Sequence, residues 1–416
     1  MKSRFANCGR PRECGTAKPY NYKSKVRVSI CKMIDRQATV TLERLSRGFP
    51  VVAITGPRQS GKTTLARAVF AGKPYVSLEN PEEREFALED PKRFLARFTD
   101  GAVLDEVQRC PQLMSWLQQL VDERGRMGDF VVTGSAQFDL MAGISQSLAG
   151  RVGRVELLPL SGAEIGAELL PSKLEKLLFV GGYPALYDRA LQPGDWFSNY
   201  VATYLERDVR QLVAVRDLGL FQRFVRMCAA RSGQLLNLAA LGADCGISAV
   251  TARQWLSVLE TSYIAMRLPP YHVNFGKRLV KTPKLYFLDS GLLAWLLGIR
   301  DAASLEAHAA RGAVFETWVV SELVKRRFNA GQGAELFFWR DSQGHEVDVV
   351  YETPLGLQAI EIKSGSTFGR DWPQSLQRWA LLTHQAMPTP RIVYGGDGHS
   401  VRQGCEVMGW RQFCLA

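Results

Sequence analysis

Residues 56 to 63 read Gly-Pro-Arg-Gln-Ser-Gly-Lys-Thr, which meets every fixed position of the G-x-x-x-x-G-K-[ST] phosphate-binding loop. The flanks suit it. The preceding FPVVAIT (49–55) is a continuous apolar run of the kind a buried parallel strand needs, and TLARAVF (64–70) continues as a helix. A plain glycine-rich turn is the competing reading, and it leaves the lysine and both flanks unexplained. In the phosphate-loop reading Gly56 and Gly61 let successive N–H groups face phosphate oxygens. Pro57, Arg58, Gln59 and Ser60 complete the turn, and the helix opening at Thr64 adds its partial positive charge. Lys62 then reaches the β- and γ-phosphates of ATP, and Thr63 offers a hydroxyl to Mg²⁺.

Further strand-like runs recur at 74–78, 102–105, 130–133 and 155–158, which predicts an α/β alternation with a parallel sheet and helices on both faces. The run Ala102-Val103-Leu104 ends in Asp105-Glu106, at the carboxyl end of a strand, where such sheets place their ligand chemistry. Asp105 suits Mg²⁺, and Glu106 is placed to orient and deprotonate an attacking water. FVVT (130–133) leads to Gly134-Ser135, where Ser135 is a candidate γ-phosphate sensor or simply a strand-end serine. Arg151, with Arg154 as substitute, is a candidate arginine finger acting on a neighbouring copy in a homo-oligomer, against the plain reading of a surface arginine.

In order along the chain, GPRQSGKTTLAR, VLDEVQRCP, VVTGSA, SLAGRV, GGYPAL and YLERDV resemble the AAA-type ATPases of bacteria and archaea that carry a restriction-endonuclease-like C-terminal domain. The resemblance runs from about residue 33 to the end. It implies an ATP-binding AAA domain in the N-terminal part and leaves the cellular role open.

From 162 to 235 the pattern turns helical, with helices expected over 195–215 and 218–230, a lid over the nucleotide. Glu206-Arg207-Asp208 within it is a solvated face or brings Arg207 to the phosphates. Residues 236–298 suggest a winged helix-turn-helix. A short helix over 236–242 precedes a second that Ser248 caps, whose Ala252, Trp255, Leu256 and Leu259 share one face; wing strands follow over 263–268 and 284–288. Arg253 and Gln254 on the second helix, with Lys277, Arg278, Lys281 and Lys284 in the wing, suit a DNA backbone, although winged helices also serve as structural or protein-binding modules.

Residues 299–416 hold a second constellation. Glu316 shares a helical face with Val319, Val320 and Leu323, so its carboxylate needs a cation. A hairpin turning at 354–356 places Asp348 on one strand, and period two puts Glu361 and Lys363 together on the next, opposite Ile360 and Ile362. Glu316, Asp348 and Glu361 as ligands of Mg²⁺ or Mn²⁺, with Lys363 to orient the nucleophilic water or steady a scissile phosphate, resemble the PD-(D/E)xK nuclease pattern, with Gln377 a later polar contact and Val347 where that pattern usually has proline.

The expected organisation is therefore α/β throughout: a basic leader (1–32), an AAA-type P-loop domain with a parallel sheet (33–161), a helical lid (162–235), a winged-helix region (236–298) and an α/β endonuclease-like domain (299–416). The formal charge of +11 is concentrated in the leader, where nine Lys/Arg face Glu13 alone, so the body is only about +3 and does not itself announce a polyanion partner. The leader is polar, is expected to be disordered, and reads either as a basic arm or as sequence upstream of a start at Met33. No apolar run approaches the ~20 residues of a membrane span, and the eight cysteines form no C-x-x-C pair, which predicts a reduced, cytoplasmic protein without a membrane partner. The two functions that follow are an ATPase whose cycle controls a DNA-binding and DNA-cleaving C-terminal half, and an ATP-gated switch that engages a protein partner through an inert nuclease-like domain. A small-molecule kinase would leave the C-terminal acids unexplained.

Overall fold

The computed structural model describes residues 34–135, 147–189, 191–205, 217–271, 281–383 and 388–416. The chain divides into two units, Met1–Lys32 and Met33–Ala416, and the second holds all the described residues. The expectations for the leader, for Glu206-Arg207-Asp208 and for Lys277 and Arg278 lie outside them.

Helix α1 (Ala38–Gly48) leads into strand β1 (Val51–Gly56), every residue of which is buried, as its unbroken apolar run requires. Helix α2 (Lys62–Val69) follows the glycine-rich turn, then β2 (Tyr75–Ser77), α3 (Pro81–Glu89), α4 (Pro91–Ala96), β3 (Ala102–Asp105), α5 (Leu113–Arg124), β4 (Phe130–Ser135) and β5 (Val152–Glu156). Asn80 and Asp90 cap α3 and α4 with their side chains, and proline opens each helix where its missing N–H costs nothing. The strands form one parallel sheet in the order β2-β3-β4-β1-β5. One core packs Val51, Ala53 and Leu104 with α4 and α5, and another packs Val52, Ile54 and Val103 with α1 and α2, so both faces are covered.

Helices α6 (Gly162–Leu169), α7 (Leu174–Val180), α8 (Ala185–Asp188) and α9 (Pro193–Tyr200) come next. The long helix expected from 195 is interrupted, because α9 passes into a π-helical turn at Val201–Leu205. Helices α10 (Leu218–Ala229), α11 (Leu238–Cys245) and α12 (Ala249–Thr261) then precede an antiparallel pair, β6 (Ala265–Leu268) and β7 (Lys284–Phe287). Asn237 caps α11 two residues later than expected, and Ser248 caps α12 by accepting from Thr251 N–H. Trp255 meets Phe221 and Phe224 edge-on, which ties α12 to α10.

After α13 (Ser290–Leu296) and α14 (Ala302–Glu306) comes α15 (Arg311–Asn329), a 19-residue helix buried along almost its whole length. Strands β8 (Phe337–Arg340), β9 (Glu346–Thr353), β10 (Gly356–Lys363), β11 (Arg391–Tyr394), β12 (His399–Arg402) and β13 (Cys405–Gly409) form a mixed sheet ordered β12-β13-β11-β10-β9-β8. Helix α15 covers one face through Ile360 and Ile362, α16 (Gln374–Thr383) covers the other through Leu376 and Trp379, and α17 (Trp410–Leu415) follows.

The expected boundaries at 235 and 298 do not separate independent cores. One cluster of buried side chains runs from Leu158 through Phe224, Trp255, Phe287 and Val320 to Phe413. Among the described residues no helix is long and apolar enough to cross a membrane.

Candidate functional site

The sheet brings the carboxyl ends of β1, β3 and β4 side by side, and with them Gly56, Asp105 and Ser135. Gly56 (φ 148°) lies so close to the Leu157 carbonyl that a β-carbon would overlap it, and Gly61 opens α2 with φ 96°. Gln59 is left-handed as well, at φ 59°. The loop therefore curls on itself, and the Lys62 ammonium, almost buried, donates to the Gly56 carbonyl (3.0 Å) and the Pro57 carbonyl (2.7 Å). Arg58 is also buried, whereas Gln59 and Thr64 are exposed. The Ser60 hydroxyl is fully buried and finds no partner among the described residues.

Asp105 is heavily bonded. It accepts from the Thr63 hydroxyl at 3.0 and 3.1 Å, from Tyr75 at 2.7 Å and from Thr133. Burial, reinforced by the Asp105 carboxylate, pushes the Tyr75 hydroxyl up to about 12. The Thr63–Asp105 pair offers hard oxygen donors at the loop, a set that fits Mg²⁺. Next to it Glu106 takes a left-handed backbone (φ 57°, ψ 43°) at the start of a 3₁₀ turn. Burial raises its carboxyl above the usual glutamate range, against the opposing pull of Lys62 and Arg58. Gln108 donates one amide to both Glu106 and the Ser135 hydroxyl (3.0 Å), so Ser135 and Glu106 share a single positioning residue.

Several contributors were missed in the sequence. Arg36 donates to the Ser60 carbonyl (2.6 Å), the Leu158 carbonyl (2.7 Å) and Glu164 (3.0 Å), bracing the loop from behind. Glu164 belongs to a capping box with Ser161 on α6, a signature that Ser161-Gly162-Ala163-Glu164 displays locally. Pro184, within the GGYPAL stretch, packs beside Gly61, and the Tyr263 hydroxyl meets the Thr55 hydroxyl at 3.1 Å.

Arg151 is half-buried. It precedes β5 at the end of the sheet opposite the loop, and its guanidinium pairs with Asp122 at 2.5 and 2.8 Å. Arg154 pairs with Glu156 at 3.0 Å.

The second constellation is also rearranged. Lys284, expected on a DNA-facing wing, is buried and donates to Glu316 (3.2 Å) and Glu346 (2.5 Å), while the Tyr286 hydroxyl also donates to Glu316. The cation that Glu316 needed is thus Lys284. Asp348 accepts from the Ile362 N–H (2.7 Å), and Lys363 pairs with Glu361 Oε1 (2.6 Å). Burial raises both acids, Asp348 well above the usual carboxylate range, and each feels neighbouring carboxylates: Glu361 and Glu316 at Asp348, Glu346 and Glu316 at Glu361. Glu361 Oε2 is buried without a donor among the described residues. Among the described residues, however, no three His, Cys, Asp or Glu side chains converge as a metal-binding group, and the three-acid set including Glu316 is not formed. Gln377 is exposed and donates to the Gln403 carbonyl (3.4 Å).

Comparison with known proteins fits this geometry. Residues 48–166 match an AAA domain, and residues 171–303 and 311–413 match two domains of unknown function, DUF8612 and DUF4143. Over 342 residues the chain is 35% identical to the uncharacterized proteins Rv2008c of Mycobacterium tuberculosis and Mb2031c of Mycobacterium bovis, covering 81% of this chain and 76% of each relative. Among solved structures, a Walker-type ATPase of Pyrococcus abyssi superposes with TM-score 0.45 at 13% identity, over 64% of this chain and 96% of that one. AMPPCP-bound DnaA of Aquifex aeolicus superposes with TM-score 0.29 at 14% identity, over 54% and 85%. Likenesses this distant carry no weight beside the family match.

Proposed function

Because this chain belongs to the family of those two mycobacterial proteins, with an AAA-type P-loop domain over residues 48–166, we propose that it binds ATP with Mg²⁺ and hydrolyses it to ADP and phosphate. The observation that carries this reading is the convergence of Lys62, Thr63, Asp105, Glu106 and Ser135 at adjacent strand ends. Lys62, now bonded to loop carbonyls, would turn to the β- and γ-phosphates as the loop N–H groups wrap them. Thr63 and Asp105 would hold Mg²⁺, which when bound neutralises phosphate charge. Glu106 accepts the proton of the attacking water, and its raised carboxyl makes it a stronger base than an ordinary glutamate. Gln108 keeps that carboxylate aimed, and Ser135 lies where it would sense the γ-phosphate. Lys62→Ala should abolish nucleotide binding, whereas Glu106→Gln should bind ATP normally and lose about 10²–10⁴-fold in turnover. Unchanged turnover in both variants would refute this assignment.

The nucleotide cycle, on this reading, controls a C-terminal half that contacts DNA through the exposed Arg253 and Gln254 of α12 and cleaves it with Asp348, Glu361 and Lys363. The orphan Glu361 oxygen supports a cation there. A second reading, an ATP-gated switch that engages a protein partner through an inert nuclease-like domain, is favoured by Lys284, which already neutralises Glu316 and Glu346. Incubating linear, single-stranded and branched DNA with Mg²⁺ or Mn²⁺, with and without ATP, decides between them. Cleavage that Asp348→Ala removes supports the nuclease, and intact ATP turnover without cleavage supports the switch.

A further inference from the structure

A cavity of about 220 Å³ lies between the C-terminal half of α15, the strands β9 to β11 and α17. Arg326, Arg327 and Arg391 line it with Gln332, Tyr351 and Phe413, over an apolar floor of Leu323, Leu336 and Ile360. Two of the arginines have counter-ions: Arg327 pairs with Glu335 at 2.5 Å and Arg391 with Glu406 at 2.6 Å. Glu335 is 70% exposed, so water competes for it.

Arg326 differs. It stacks on the Phe413 ring at 4.4 Å and donates one N–H to the Phe413 carbonyl. No described carboxylate pairs with it, and its Nε is buried without an acceptor among the described residues. A guanidinium cannot shed its proton to escape such a site, so a part-buried one lacking a carboxylate calls for an anion from outside. Its neighbours suit the same guest: Arg327 and Arg391 carry the fork that matches oxyanions, and Gln332 and Tyr351 carry groups able to add directional hydrogen bonds.

We propose that this cavity is a binding site for a small phosphate-type oxyanion, free or carried on a small metabolite, separate from the phosphate loop. The ligand would sit against α15 one turn beyond Glu322, whose carboxylate accepts from the Gly162 N–H (2.8 Å) at the seam with the AAA domain.

The test uses the full chain carrying Lys62→Ala, which silences the phosphate loop. Inorganic phosphate is titrated into it by calorimetry at constant ionic strength, in parallel with ribose 5-phosphate and acetate. One saturable site per chain is expected for phosphate, with acetate much weaker. Tighter binding of ribose 5-phosphate than of phosphate would identify a metabolite as the guest, and equal binding the free ion. Adding Arg326→Gln, or Arg391→Gln should the first fail to fold, should weaken phosphate binding at least tenfold. Restoring Lys62 beside Arg326→Gln should leave ATP affinity unchanged. Absence of a saturable site, or equal phosphate affinity in the arginine variants, would overturn the proposal.

Discussion

Glu106 shows how much one residue can carry. A non-glycine side chain in the left-handed region costs about 1–3 kcal/mol, and here that conformation turns the carboxylate toward Gln108 at the strand end, next to Asp105. Burial that raises its carboxyl has a kinetic signature. ATP turnover should fall as pH drops through that raised value, so the acid limb of a kcat–pH profile should lie above the position of an ordinary glutamate; a limb at about pH 4 would refute the role. Asp348 gives a signature in stability. Its folded value stands well above its unfolded one, so its contribution is full below the unfolded value and is lost as pH rises toward the folded one. Thermal midpoints of wild type should therefore drop relative to Asp348→Asn as pH increases from about 4, and parallel curves would contradict it.

At the scale of elements, α15 joins two chemistries. Glu316 near its start enters the acid–lysine cluster, and toward its end Asn329 donates to Glu164 (3.1 Å), which also holds Arg36 behind the phosphate loop. Between them Glu322 and Lys325 form a buried pair at 2.8 Å, with Lys325 also donating to the Leu160 carbonyl (3.0 Å). Glu322→Gln leaves that ammonium without its counter-ion and should lower unfolding free energy by about 3–5 kcal/mol in urea titration, while a matched apolar pair should recover most of it. The sequence disclosed part of this element: the apolar face around Glu316 showed that the carboxylate wanted a cation. It did not disclose that Lys284 supplies it, because that pairing forms only when β7 packs against α15, and a lysine beside a strand reads locally as exposed. The phosphate loop and Asp105-Glu106 were legible for the opposite reason. Their chemistry is written in contiguous residues at strand ends, whereas Arg36, Tyr75 and Gln108 acquire partners only after the sheet closes.

For the molecule as a whole, the continuous core from Leu158 to Phe413 implies that the elements contributing to it unfold as one cooperative unit. A chain cut after residue 298 should lose that transition, because the cluster that holds Phe224, Trp255 and Phe287 would lose the side chains of α15 and α17; an intact melting curve for the cut chain would refute a shared core. The charge distribution adds a separate test. Removing residues 1–32 takes eight of the eleven net positive charges, so the slope of log affinity against log salt for any DNA should become markedly shallower. The contact between the two ends of this core also has a temporal side. Cys414 on α17 closes so tightly on Gly162 that no β-carbon fits between them. During translation at roughly 5–20 residues per second, Gly162 leaves the ribosome tens of seconds before its partner is made. Through that interval the leucines of α6 and α7 stay without their cover, a nascent chain that invites chaperones and punishes late stop codons.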